Sequence, residues 1–117
     1  WAREILGPDA LLAPEQMVIA ETDAAAARAV GRRILRRYLA LENYAGTLRK
    51  SGYGDDDLAG VGSDRIVDEL TPWGDAPALA AAVRAHLDAG ADHVCVQALP
   101  ADSDVLPALG ELRAALA

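Results

Sequence analysis

Phenylalanine is absent from this chain, and aromatic residues make up only 4% of it. A core built on ring stacking is therefore excluded. Cysteine occurs once, as Cys95, so no internal disulfide can form. One cysteine and two histidines cannot build a zinc cluster either, and no metal ligand set is expected. Lysine also occurs once, as Lys50, and the other ten basic residues are arginine. That imbalance, with abundant alanine, reads as a GC-rich coding bias. No apolar run approaches the length that crosses a bilayer, so no transmembrane helix and no membrane partner are expected. The opening residues form no basic-then-apolar leader, so a secretory signal is not expected and the cytoplasm is the expected location. Positive charge is scarce overall. The formal net charge is −7, opposite to the basic footprint that nucleic-acid binding needs.

What is present is enough for one domain. The chain has 117 residues, of which 52% are hydrophobic and 25% charged. Alanine accounts for 26 of them, and alanine favours helix because it has no side-chain entropy to lose there. The chain opens on Trp1 instead of Met, which fits either a processed start or a piece of something longer.

Residues 1–7 read as a helix end, with Trp1, Ile5 and Leu6 apolar and Gly7-Pro8 as the stop. The short, partly β-branched run at 16–21 reads as a strand buried on both faces. Thr22-Asp23 offers a cap for a helix reaching about Leu39. Its apolar stripe is Ala27, Val30, Ile34, Tyr38 and Leu41, and the arginines at 28–37 read as its solvated face. A shorter helix or turn is expected from Asn43 to Gly52, then a surface loop at 53–57. Ser63 caps a helix through Leu70, and Asp75 caps one over 76–89, with Pro77 in its first turn and Gly90 beyond its end. Leu79, Val83, His86 and Leu87 line the apolar side of that helix, so His86 reads as a packed core histidine. A second buried strand follows at 94–99, and a last helix at 105–116. Strand, helices, strand, with both strands apolar, reads as parallel α/β.

In such folds chemistry sits beyond the C-terminal ends of the strands. Those positions hold Glu21 and Thr22 after the first strand and Gln97 in the second. Glu21 could accept a proton or orient a hydroxyl, and Gln97 could donate to a carbonyl or a ring edge. Each also has a plain structural role available, as helix entry and strand end. Asp92 and His93 lie at the opposite end of their strand and read as structural. Asp55-Asp56-Asp57 lacks the alternating acidic pattern of a calcium loop, and Gly60-Val61-Gly62 lacks a phosphate-loop continuation. Cys95 reads as a small buried hydrophobe.

Four stretches go beyond this patterning. They are Ala2 to Asp9 (AREILGPD), Leu12 to Gln16 (LAPEQ), the segment Tyr38…Leu41-Glu42-Asn43-Tyr44, and Ala89 to Gln97 (AGADHVCVQ). In this order and spacing they resemble the C-terminal part of the luciferase-like monooxygenase family. These are flavin- or F420-dependent oxidoreductases, and the branch using the deazaflavin F420 is the nearest in pattern. The resemblance implies a helix-rich α/β fold, the C-terminal portion of a (β/α)8 TIM barrel: its last two parallel strands and their helices. It also implies hydride transfer between F420 (alternatively FMN) and a small-molecule organic substrate. Asn43 and Tyr44 match a segment near the family's pocket mouth. The early-strand residues that grip the ring and donate protons have no counterpart here, so no catalytic residue is assigned and the isolated chain is expected to be inactive. The competing expectations are a non-enzymatic helical α/β module and an unrelated small acidic protein. The module would form a homo-oligomer through exposed apolar faces, with Ile19, Val94 and Val96 at the contact.

Overall fold

The computed structural model describes residues 2–117, so Trp1 lies outside the described residues. Among these, nine elements follow in order: α1 (Ala2–Leu6), β1 (Glu15–Ile19), α2 (Ala24–Leu39), α3 (Glu42–Lys50), α4 (Asp55–Leu58), α5 (Asp64–Leu70), α6 (Ala76–Asp88), β2 (Cys95–Leu99) and α7 (Leu106–Leu116). The caps are those that local sequence dictates. Asp23, Ser63 and Asp75 accept the backbone N–H of Ala26, Ile66 and Ala78, satisfying donors that have no partner within the helix. The expected loop at 53–57 instead winds into α4, where the Asp57 carboxylate turns back to accept the Gly54 N–H at 3.2 Å.

The two strands pair in parallel, from Glu15 opposite Cys95 to Ile19 opposite Leu99. Alternation sends their side chains to two faces. On one face Val18, Val96 and Ala98 pack against Leu79 and Ala80 of α6 and Leu112, Ala115 and Leu116 of α7. On the other, Ile19 and Leu99 pack against Ala27, Val30 and Ile34 of α2, with Trp73 beside them. A third cluster, Leu35, Ile66 and Val67, joins α2 to α5 and is ringed by Leu39, Leu48, Tyr53, Leu58 and Leu70. The whole forms a disc of 37 × 37 × 20 Å.

This arrangement corrects the expectation of a TIM-barrel portion. A (β/α)8 barrel keeps its helices on the outer face and fills the inner one with side chains of other strands. Here helices cover both faces of a sheet that ends at two strands, and α2 occupies the side where a barrel interior would lie. The chain is a helix-rich α/β domain with its own packed clusters. The apolar strand runs demanded two covered faces, and helices on either side meet that demand as well as a closed cylinder does.

Other expectations are corrected with it. Leu87 is 41% exposed and Leu41 49%, so neither belongs to the apolar stripe of its helix. Cys95 is exposed, because α2 covers only the C-terminal half of its sheet face. Ile19 is 1% exposed and closed over by α2, so it is not available as an intermolecular contact. The arginines of α2 are only partly a solvated face. Arg28 makes a two-pronged bond to Asp68, at 2.9 and 2.6 Å, and reaches Asp64 at 2.7 Å. Arg32 joins the same Asp64. No helix among the described residues is long and apolar enough to cross a membrane.

Candidate functional site

The residues expected to carry function are distributed over separate places. Glu21 and Thr22, just past β1, line a cleft of about 250 Å3 together with Asp75 and Glu111. Glu21 accepts the backbone N–H of Asp23 at 2.9 Å, so it helps open α2. Gln97 projects from the sheet opposite Met17, exposed and without a hydrogen-bond partner among the described residues. Asn43 is exposed on α3, where its carbonyl accepts the Thr47 hydroxyl at 2.9 Å. Tyr44 lines a second and larger cavity, and the structure does not bring the five residues together.

That larger cavity, of about 450 Å3, lies beside the N-terminal half of β1 and not beyond its C-terminal end. Glu15, Gln16 and Met17 of β1, Leu35, Tyr38 and Leu39 of α2, Tyr44, Thr47 and Leu48 of α3, Glu69 and Leu70 of α5, and His86 of α6 form its wall. Tyr38 and Tyr44 meet edge to face, with ring centroids 4.9 Å apart and planes at 72°, the arrangement that aromatic quadrupoles favour. The sequence placed Tyr38 on an apolar stripe, and its neighbour in α3 completes the pair.

Gln16 and His86 are the polar residues that the sequence reading did not assign to a site. The Gln16 amide nitrogen donates to the backbone carbonyls of Met17 at 2.8 Å and Leu70 at 3.3 Å. This fixes the amide, leaving its oxygen toward His86 Nε2 at 2.7 Å. The oxygen can only accept, so Nε2 carries the hydrogen. The signal available in sequence was a single amide at the head of an otherwise apolar strand and a single imidazole among the alanines of α6. Neither names the other, because 70 residues separate them.

Glu69, at the cavity wall, accepts the Tyr53 hydroxyl at 2.6 Å and an Arg65 N–H at 3.2 Å. The phenol contact, more than the guanidinium, holds its carboxyl below the usual carboxylate range. Burial pushes Tyr53 up to about 12, reinforced by its bond to Glu69. Arg65 lies over the Tyr53 ring at 5.0 Å from its centroid.

Elsewhere the charged groups work as ties. Asp68 takes Arg28 and the Trp73 indole N–H, the latter at 2.7 Å, and the Arg28 contact holds its carboxyl below the ordinary value. Asp92, expected to be structural, accepts the Leu12 N–H at 2.8 Å and pairs with Arg3. Ser63 donates to Asp57 at 2.6 Å while accepting from Ile66, which makes it a cap and not a nucleophile. Among the described residues no group of His, Cys, Asp and Glu could hold a metal ion.

F420 and FMN share a flat ring system and a phosphate. The larger cavity offers apolar and aromatic walls to a ring, but neither opening is lined by arginine or lysine, and the carboxylates present are Glu15 and Glu69 in one, Glu21, Asp75 and Glu111 in the other. A phosphate does not fit these linings, which would repel it. No protein-family model matches the chain, and comparison with curated proteins and with solved structures returns no match.

Proposed function

We propose that the chain is the C-terminal part of a luciferase-like oxidoreductase that passes hydride between F420, or reduced flavin, and a small organic substrate. In this reading the chain supplies framework and substrate-side surface and is inactive alone. The observation that carries it is the meeting of three of the four resembling stretches at one point. Arg3 of the first pairs with Asp92 of the fourth, and the same carboxylate accepts the N–H of Leu12 of the second. The third stretch contributes Tyr38 and Tyr44, at the wall of the larger cavity. Segments far apart in sequence thus belong to one unit. The exposed single thiol of Cys95 suits a reducing compartment, and we place the protein in the cytoplasm.

The missing ring-gripping residues motivate the expected inactivity alone, and the acidic linings support it. Titrating the isolated chain with F420 and with FMN, followed by difference absorbance, is expected to give no saturable change; saturation would overturn this half of the reading. Co-expression with the N-terminal part of an F420-dependent luciferase-like enzyme tests the other half. Substrate-dependent bleaching of F420 is expected, and a folded complex without it would count against the assignment.

A second reading, a self-associating module, is favoured by one feature. The outer edge of β2 has no strand partner among the described residues, and Ile5, Leu6 and Leu11 are exposed. Sedimentation velocity decides it, since a monomer at all concentrations would remove its basis.

A further inference from the structure

The cavity beside β1 is larger and less polar than the cleft at the strand ends, and its volume of about 450 Å3 falls in the range that takes small organic molecules. We propose that it binds a neutral, planar organic molecule of fused-ring size. This goes beyond the oxidoreductase reading and does not rest on it, because it concerns binding with no redox cofactor present.

Three observations converge on that ligand class. The first is surface: Met17, Leu39, Leu48 and Leu70 line the cavity with the edge-to-face pair of Tyr38 and Tyr44, so a flat ring meets both aliphatic and aromatic contacts. The second is charge. The acidic side chains in the wall are those of Glu15 and Glu69, with no arginine or lysine to balance an anion. Glu69 is already engaged by Tyr53 and Arg65, and Glu15 is exposed, so solvent and salt screen its pull on a cation. The third is hydrogen bonding. Gln16 is held by two backbone carbonyls and by His86, so its amide is committed to fixing the wall. The hydroxyls of Tyr38 and Tyr44, by contrast, have no hydrogen-bond partner among the described residues, and they are the groups free to orient a ligand's polar edge.

The chain contains a single methionine, Met17, in the cavity wall, so its labelled methyl gives one NMR resonance that reports on the site. The experiment titrates the full chain with Nile red, a neutral planar dye, and separately with anilinonaphthalene sulfonate, an anion of comparable ring size. Nile red is expected to shift the Met17 methyl saturably with one-to-one stoichiometry, and the sulfonate to bind about tenfold more weakly or less. Tyr44→Ala, at a partly exposed position, is expected to weaken Nile red by about tenfold with the circular dichroism spectrum unchanged. Tyr44→Phe separates loss of the hydroxyl from loss of the ring. No saturable shift at Met17 overturns the proposal, as does equal binding of the anion. A Met17 shift that follows protein concentration instead of dye assigns the cavity to a second copy of the chain and also overturns it.

Discussion

Gly31 of α2 lies so close to Thr71 that a Cβ there would stand 2.6 Å from the threonine hydroxyl oxygen. The same Cβ would meet Val67 Cγ1 at 2.8 Å. Thr71 and Val67 are both 0% exposed, and the Thr71 hydroxyl donates to the Val67 carbonyl at 2.7 Å, so neither can swing aside. The close approach of α2 and α5 therefore depends on a missing side chain. Gly31→Ala should lower stability by about 1–3 kcal/mol through overpacking. Gly46→Ala is the contrast. It too sits in a helix, but its nearest neighbour is a Glu42 carboxylate oxygen at 3.9 Å. There the better helix propensity of alanine should raise stability by about 0.5–1 kcal/mol. Urea unfolding of the two variants reads the opposite signs, and equal signs would mean that crowding at Gly31 is not what separates them.

The elements of this fold were legible where their causes are local. Asp75, Pro77 and Gly90 bracket α6 within a few residues of its observed bounds, and Ser63 announces α5. The two apolar strands were legible from composition alone, and so was their parallel pairing from the helices between them. What the sequence does not carry is which layer covers which face. That choice turned an expected barrel segment into a two-sided α/β domain, and it left Cys95 exposed where α2 stops short. Arg28 and Arg32 read as solvated because their partners, Asp64 and Asp68, lie more than a helix away in sequence. The larger cavity was out of reach for the same reason, since its wall draws on β1 and four helices.

The tie between Arg28 and Asp68 should make stability depend on acid. The native carboxyl of Asp68 ionises below the ordinary aspartate value of about 3.9. Its contribution is therefore complete above that value and fades as pH falls through the lower native one. Asp68→Asn keeps an oxygen for the Trp73 indole but removes the charge facing Arg28. At neutral pH the variant should be less stable by roughly 1 kcal/mol, allowing for solvent screening of a partly exposed pair. In strong acid the gap should close, because the native aspartate is then protonated. Urea unfolding at both extremes checks this, and a gap that does not change with pH would remove the charge from the explanation.

Asp92 joins the chain's beginning to the turn before β2, through Arg3 and the amide of Leu12. The Leu12 amide bond, more than Arg3, holds its carboxyl below the usual range. Asp92→Ala leaves that amide without its acceptor and removes the ion pair to Arg3, which keeps only its bond to the Gly90 carbonyl, at 3.1 Å, across to this turn. Hydrogen exchange at Leu12 should accelerate by about tenfold or more, with Val18 and Ile19 in the covered strand unchanged. Uniform acceleration across the strand would show that Asp92 supports the whole sheet and not only this tie.

Tyr53 gives the clearest titration in the molecule. Burial and its bond to Glu69 push the phenol up to about 12, against about 10 for an unfolded tyrosine. A native state that holds its proton more tightly gains stability below the unfolded value. That gain is complete below about pH 10, and it is lost as pH rises through the native value near 12. Ultraviolet absorbance should therefore show one tyrosinate forming near 12 while the fold persists. Tyr53→Phe should delete that step, and Glu69→Gln should move it lower, since the carboxylate both accepts the phenol hydrogen and repels the phenolate. A late step surviving in Tyr53→Phe would transfer the shift to another tyrosine and break the link between Tyr53 and Glu69.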